Sequence, residues 1–267
     1  MCTGFVVHKD NTIIGMNFDI SNRPIKMILQ KNSQFLILQY EDGEFLPAFG
    51  FNNSGTFMNL LMVDPNEEGK YRRGKHCVNI MKLFDEVLSE KIELSSLHEY
   101  LHDHSIVNVP NFSVHSMIAG MNRNSFIIEP GRSNVNMSEI EQDFMVLTNF
   151  SLSDQSHEDY REVIGPGNDR YTRAYETILR NKETFNKDVG FSVLEETAQH
   201  DGEYPTQLSV ISVPAEGLIY FTLDGDFNKT FEFSFTDLQI RTSKGFVNSN
   251  YCPLTKKGVL LEELKGW

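Results

Sequence analysis

The sequence contains few cysteines and no long apolar segment. Only Cys2, Cys77 and Cys252 occur in 267 residues, and their irregular spacing indicates no disulfide framework. No apolar run approaches the roughly 18 residues that cross a bilayer, and the FVV run near the N-terminus is interrupted at once by HKDN. We therefore expect a cytoplasmic protein, in a reducing compartment, without a signal peptide or a membrane span.

Positive charge is also scarce. The chain has 24 Lys and Arg against 37 Asp and Glu, a net charge of −13, which repels nucleic acid and anionic membranes. The one basic run, KYRRGKH (70–76), is short and is interpreted as a solvated surface. A phosphate-binding loop is missing as well, because GPGNDR (165–170) lacks the Lys-Ser/Thr pair of a P-loop. We expect neither nucleic acid nor membrane as a partner.

What the sequence does have is a succession of strand and helix patterns. Strands are predicted over most of residues 4–63, then helices at 76–89 and 94–102, strands within 113–147, helices at 169–180 and 191–199, and strands after 206. This segregation favours packed sheets with helices outside over alternating βαβ units. Neither a repeat nor a linker interrupts it, apart from the polar stretch SLSDQSHED (151–159), so one domain over 1–267 is predicted.

Cys2 is the first candidate for chemistry. Aminopeptidases remove an initiator Met when the next side chain is small, and this would leave Cys2 with a free α-amine beside its thiol. An α-amine has a pKa of roughly 7.7–8.0, so it can serve as a base near neutral pH. Nucleophile and base would then share one residue. The alternative is that Cys2 is only a small residue at the start of a strand.

An exposed α-amine needs an acceptor that orients it. A hairpin over residues 4–18 returns its second strand beside the N-terminus, and that strand ends at Asp19. We expect the Asp19 carboxylate to accept from the α-ammonium and the thiol.

These features carry a family resemblance. MCTG at the start, a short hairpin and GMNFD (15–19) resemble the opening of the choloylglycine hydrolase family, which includes bile salt hydrolases and penicillin V acylases. NNSG (52–55), LTN (147–149) and GNDRY (167–171) follow in the family's order, and residues 206–227 resemble isopenicillin N acyltransferase-like proteins. The resemblance implies an αββα sandwich, the N-terminal nucleophile hydrolase fold, with two antiparallel sheets between helices.

The resemblance also implies roles for individual residues. Cys2 would attack a linear amide, Asp19 would orient its α-amine, and Arg170 would favour its thiolate. The side chain of Asn149 and the backbone N–H of Met62 would form the oxyanion hole. No metal or organic cofactor is implied, the partner would be a small acyl amide, and relatives form homo-oligomers, so a tetramer or dimer is expected. An acyltransferase working through the same acyl-enzyme is the close alternative.

One position departs from the family pattern. Relatives carry Arg where this chain has Met16, three residues before Asp19. Loss of a cation beside the nucleophile should raise the pKa of its thiol. Arg170 or Arg23 could take its place, or the chain could be a catalytically silent binding protein on this fold.

Three histidine-containing features offer competing or simpler interpretations. HEYLH (98–102) matches the zincin pattern H-E-x-x-H, in which His98 and His102 would bind zinc. A third protein ligand is missing from the pattern, so an amphipathic helix is the better interpretation. His8 and His115 fall inside strand patterns, where we expect them to be hydrogen-bonded strand residues. Cys77 is expected to be a packed thiol at a helix start.

Overall fold

The computed structural model describes residues 1–155 and 159–267, so the middle of the polar stretch 151–159 lies outside the described residues. The strands are β1 (Thr3–His8), β2 (Thr12–Asp19), β3 (Ile25–Gln30), β4 (Gln34–Glu41), β5 (Glu44–Asn52), β6 (Phe57–Asn59), β7 (Leu61–Met62), β8 (Cys77–Asn79), β9 (Ser105–Val107), β10 (Val114–Ala119), β11 (Ser125–Ile128), β12 (Val135–Asn136), β13 (Phe144–Leu147), β14 (Thr206–Val213), β15 (Leu218–Leu223), β16 (Thr230–Ser234), β17 (Gln239–Lys244), β18 (Tyr251–Pro253) and β19 (Val259–Leu260). The helices are α1 (Ile80–Leu88), α2 (Leu97–Asp103), α3 (Asn168–Asn181), α4 (Lys187–Thr197) and α5 (Leu261–Lys265).

Two antiparallel sheets form the middle of the structure. Sheet A has the strand order β13-β1-β2-β14-β15-β16-β17-β18, and sheet B has the order β12-β11-β10-β6-β5-β4-β3-β19, with β7 also paired to β10. The small strands β8 and β9 form a separate parallel pair. Within the described ranges, no helix is long and apolar enough to cross a membrane.

Alternation along β1 shows how the layers pack. Val6 joins the large core between the two sheets, whereas Phe5 and Val7 pack on the opposite face against α3 and α4. On sheet B, the outward side chains pack against α1 and α2. Helices therefore cover both outer faces, and the predicted αββα sandwich is confirmed.

One predicted helix begins later than its pattern suggested. Residues 77–79 form β8, and α1 begins at Ile80 because the Asn79 side chain accepts a hydrogen bond from the Lys82 amide, 2.8 Å away. Asn is a strong N-cap residue, and an N-cap keeps extended backbone. Cys77 is thus a half-buried strand residue and does not lie at a helix start.

Candidate active site

Cys2 lies where three chain segments meet. It directly precedes β1, which pairs antiparallel with both β2 and β13. Antiparallel pairing brings the carboxyl ends of β2 and β13 to the amino end of β1. Asp19 closes β2 and Asn149 follows β13 by two residues, so both flank Cys2.

The Cys2 side chain is 6% exposed and belongs to the core between the sheets. Its Sγ lies 3.9 Å from the carbonyl oxygen of Asp19, and the amino group of Met1 donates to that same oxygen. Burial raises the pKa of the Cys2 thiol, and the terminal amine and Arg170 do not offset this effect. With Met1 attached, the thiol is therefore protonated at neutral pH.

The Asn149 amide connects the chain start to the other sheet. Its Oδ1 accepts from the Cys2 backbone N–H at 2.6 Å and from Arg170 Nη2 at 3.1 Å. Two donors on one oxygen fix the orientation of the amide, so Nδ2 points the other way and donates to the Met62 carbonyl at 2.8 Å. An amide nitrogen carries two hydrogens, and this bond uses only one of them.

Met62 presents its backbone to the same place. β7 pairs with β10 so that Met62 lies opposite Val114, and the next residue, Val63, donates to the Ser113 carbonyl at 3.1 Å. Hydrogen-bonded pairs alternate along an antiparallel ladder, so the Met62 N–H and carbonyl both point away from β10. The carbonyl reaches Asn149, and the N–H lies on that same side of the strand.

Arg170 is the most constrained side chain of the site. It is fully buried at the start of α3, and its Nη1 donates to the Cys2 carbonyl at 2.5 Å and to Thr3 Oγ1 at 2.9 Å. The same nitrogen lies 3.3 Å from Asp19 Oδ2, forming a buried ion pair. Arg170 therefore holds the backbone of Cys2, the amide of Asn149 and the carboxylate of Asp19 together.

The Asp19 carboxylate does not contact the thiol, contrary to the expectation from the sequence. Side chains alternate along β2, so this carboxylate lies on the helix-covered face of sheet A while Cys2 Sγ lies between the sheets. Thr206 Oγ1 donates to Oδ1 at 2.6 Å and Gln199 Nε2 donates to Oδ2 at 2.9 Å. Burial raises the pKa of Asp19 to about 6, although Arg170 and Thr206 oppose the shift. Only the Asp19 carbonyl faces Cys2.

Sequence reasoning missed several supporting residues. Thr3, Thr206 and Gln199 contact Arg170 or Asp19. Thr3 and Thr206 lie within the stretches MCTG and 206–227 but were given no role there, and no motif includes Gln199. Gly167 could have been identified from the sequence, because a glycine directly before a polar helix start indicates a backbone position with a special conformation. It has a φ of +82°, and a Cβ there would lie 2.4 Å from Arg170 Nη2, so only glycine leaves room for the guanidinium.

Met16 is buried in the core between the sheets, opposite Gly4 on β1. Its sulfur accepts from Asn59 Nδ2 at 3.6 Å. Both of these side chains are uncharged, whereas the family pattern has a cation at position 16. Arg170 supplies a cation from the other face of sheet A, but Arg23 pairs with Glu41 at 3.2 Å.

The residues of the zincin pattern lie on the surface. His98, Glu99 and His102 are all exposed on α2, and His104 bonds to the carbonyl of Tyr100 at 2.9 Å. Among residues 1–155 and 159–267, no group of three or more His, Cys, Asp or Glu side chains is placed to hold a metal ion.

Comparison with known proteins places this geometry in a known fold. No protein-family model and no curated protein sequence matches the chain. Among solved structures, two variants of conjugated bile acid hydrolase from Clostridium perfringens match at 17% identity with TM-scores of 0.61 and 0.60, covering 96% of this chain and 98% of theirs.

Two further structures agree with that match. Penicillin V acylase from Agrobacterium tumefaciens matches at 14% identity with a TM-score of 0.65, covering 96% of both chains. An N-acylethanolamine-hydrolyzing acid amidase ortholog from Caenorhabditis elegans matches at 17% identity with a TM-score of 0.52, covering 80% of this chain and 93% of that one. The chain thus has the fold of these N-terminal nucleophile hydrolases, as its sequence resemblance predicted.

Proposed function

We propose that this chain, after removal of Met1, is a cysteine-nucleophile hydrolase of linear amides. The observation that carries the proposal is the Asn149 amide, which accepts from the Cys2 backbone nitrogen and donates to the Met62 carbonyl. In the proposed site, the second Nδ2 hydrogen of Asn149 and the Met62 backbone N–H both donate to an oxyanion beside the nucleophile. Two converging donors are what an acyl-transfer intermediate requires.

The reaction begins with proton transfer within Cys2. The freed α-amine takes the thiol proton, and the thiolate sulfur attacks the amide carbonyl carbon, so that a C–S bond forms and the carbonyl oxygen becomes an oxyanion. Asn149 Nδ2 and the Met62 N–H donate to that oxygen. Donors of this type contribute roughly 10²–10³ each in rate.

Collapse of the intermediate breaks the C–N bond. The leaving amine takes its proton from the α-ammonium of Cys2, and an acyl thioester remains. Water, deprotonated by the same α-amine, then attacks the thioester and releases the carboxylic acid and the thiol. Every proton in this cycle passes through Cys2, and Asn149 Oδ1, 2.6 Å from the Cys2 nitrogen, orients the amine.

Arg170 and Asp19 support this cycle without contacting the substrate. Arg170 holds the Cys2 carbonyl, and its charge favours the thiolate over the thiol. Asp19 neutralises the buried guanidinium through its carboxylate, and its carbonyl oxygen lies 3.9 Å from Cys2 Sγ.

The proposed substrate class is supported by the proteins whose structures are similar to this one. The similar proteins are named for conjugated bile acid, penicillin V and N-acylethanolamine, each of which contains a linear amide bond. An acyltransferase would use the same thioester and differ only in the final acceptor, an amine in place of water.

A second candidate is a catalytically silent binding protein, and Met16 is the observation that favours it. This buried thioether puts no charge beside the thiol, whose pKa is raised by burial. In that case the processed chain would bind acyl amides without forming a thioester.

The decisive experiment combines intact mass with a panel of acyl amides. The panel contains penicillin V, glycine- and taurine-conjugated bile salts, N-acyl amino acids and N-acylethanolamines. We expect a mass without Met1, turnover of at least one amide, and loss of turnover in Cys2→Ser and Cys2→Ala but not in the matched control Cys77→Ser. Hydroxylamine added during turnover traps an acyl-enzyme as hydroxamate and measures transfer against hydrolysis. Retention of Met1, or full activity in Cys2→Ala, would exclude the mechanism.

A further inference from the structure

The segment that carries Asn149, residues 148–153, is held from the opposite sheet. His115 on β10 and Glu129 just after β11 have fully buried side chains and face each other, with 3.1 Å between His115 Nδ1 and Glu129 Oε1. The other ring nitrogen of His115, Nε2, bonds to the Thr148 carbonyl at 2.7 Å. That carbonyl belongs to the peptide group that joins Thr148 to Asn149.

Glu129 binds the remainder of the same segment. Its Oε1 accepts from the Leu152 amide at 3.0 Å, and its Oε2 accepts from the Ser153 amide at 2.9 Å. The hydroxyls of Ser151 and Ser153 donate to Oε2 as well, at 3.2 and 2.5 Å. Four donors from three consecutive residues thus converge on one carboxylate.

Hydrogen bonding keeps the Glu129 carboxylate charged. Burial raises the pKa of Glu129, but hydrogen bonds from His115 and Ser153 outweigh it and the pKa lies below its ordinary value. A carboxylate and a carbonyl are both hydrogen-bond acceptors, so each ring nitrogen of His115 faces a buried acceptor.

Stability alone explains this pair poorly. Removing the Glu129 charge from water costs several kcal/mol, and apolar replacements of buried charged groups are often neutral or stabilising. What the pair achieves is placement, because, within residues 1–155 and 159–267, its side-chain hydrogen bonds to other residues all go to the segment 148–153. His115 also lies opposite Leu61 in the β7–β10 ladder, one residue before Met62. His115 therefore contacts the residue that precedes each proposed oxyanion donor, Thr148 before Asn149 and Leu61 before Met62.

We propose that His115 and Glu129 are a positioning pair that sets the Asn149 amide at its distance from the Met62 backbone. The inference rests on the proposed function, in which these two groups bind the oxyanion. A displacement of about 1 Å at such a donor can cost on the order of 100-fold in rate.

The test uses the full-length, processed chain with His115→Phe and Glu129→Gln. We expect kcat to fall about 10- to 100-fold with KM changing less than about threefold, because the donors act on the transition state. His8→Phe is the matched control, since His8 is also a buried strand histidine with two hydrogen-bond partners, Thr12 and Ser125, at the opposite end of β1. It should lower stability and leave kcat within about twofold.

A double-mutant cycle separates positioning from general structural support. In an Asn149→Ala background, Glu129→Gln should lower kcat no further, because the donor that it positions is already gone. Losses that add in the double variant, or a kcat within about twofold of wild type in both single variants, would overturn the inference while leaving the proposed function intact.

Hydrogen exchange tests the same inference without a need for catalytic turnover. Peptides covering residues 148–155 should exchange faster in both variants than in wild type or His8→Phe, since the segment loses either the Glu129 carboxylate or the His115 ring that bonds to it. If the acyl-amide panel yields no turnover, the proposed function fails, and this arm alone decides whether the pair holds the segment. Unchanged protection of 148–153 overturns the inference.

Discussion

Arg170 Nη1 donates to the carbonyl oxygen of Cys2 at 2.5 Å, although 168 positions separate the two residues in the chain. The same guanidinium reaches Asn149 Oδ1 and Asp19 Oδ2, so a single side chain from α3 fixes the ends of three segments of sheet A. The site is therefore assembled around a buried cation.

Removal of that cation should destabilise the protein as well as the site. Arg170→Ala leaves the buried Asp19 carboxylate without its ion pair, which typically costs about 3–5 kcal/mol. Arg173→Ala on the same helix is the control, because Arg173 pairs with Asp169 at the surface and should cost less than about 1 kcal/mol. Urea unfolding measures both, and similar losses in the two variants would contradict the central role of Arg170.

Gly167 should be irreplaceable for a steric reason beyond its backbone conformation. Gly167→Ala combines a positive φ with a Cβ 2.4 Å from Arg170 Nη2, so the guanidinium must move and activity should fall at least about tenfold. Gly43→Ala is the control, since Gly43 has a φ of +91° with no atom near the added Cβ. It should cost about 1 kcal/mol from backbone strain alone and leave kcat/KM unchanged. Equal effects on kcat/KM would show that contact with Arg170 is unimportant.

The sequence could predict the layers and the first hairpin because turn signals and alternating apolar residues are local properties. It could predict the gathering of Cys2, Asp19, Asn149 and Arg170 only through resemblance to a family. The sequence did not predict the hydrogen-bond partners of Asp19. Gln199 and Thr206 are 180 and 187 positions away from it in the chain, and only strand pairing brings them beside its carboxylate. The expected contact between the Asp19 carboxylate and the Cys2 thiol was wrong, because side-chain alternation along β2 turns the carboxylate to the other face of sheet A.

Activity should decline in mild acid as Asp19 becomes neutral. Its pKa is raised to about 6, so below that pH the carboxyl no longer balances Arg170 and kcat/KM should fall. Protonation of the Cys2 α-amine, with a pKa of roughly 7.7–8.0, already lowers kcat/KM below that pH with a slope near one on a logarithmic plot. The slope should therefore steepen toward two below about pH 6 in wild type. Asp19→Asn should be weakly active and keep the slope near one. A wild-type slope that does not steepen between pH 7 and 5 would exclude the assignment.

The thiol of Cys2 should be slow to alkylate while a residue precedes it. Burial raises its pKa, so iodoacetamide should label it slowly at pH 7 and faster at alkaline pH in a chain with a fixed N-terminal extension. Cys77, which is half-buried, serves as the internal reference in the same digest. The processed chain should label faster at Cys2, because its free α-amine can accept the thiol proton. Faster labelling of Cys2 than of Cys77 in the extended chain would contradict the effect of burial.

His8 should make the fold sensitive to acid in a defined range. Burial and the nearby Arg123 lower its pKa from 6.5 to about 4 in the folded chain, where its ring contacts the hydroxyls of Thr12 and Ser125. Between pH 6.5 and about 4 the unfolded chain therefore binds the proton more readily, so the free energy of unfolding falls as the pH is lowered through this range.

The size of the effect follows from the shift in the pKa of His8. Each pKa unit corresponds to about 1.4 kcal/mol, so the loss approaches about 3 kcal/mol at pH 4. His8→Gln keeps a polar side chain that can bond to a hydroxyl but binds no proton, so it should be less stable than wild type at pH 7 and lose less stability between pH 7 and 4.5. Urea unfolding at both pH values measures the difference between the two chains, in which the contributions of other titrating groups such as Asp19 cancel. An identical pH dependence in wild type and His8→Gln would show that His8 is not the acid-sensitive group, because this difference isolates the proton bound at residue 8.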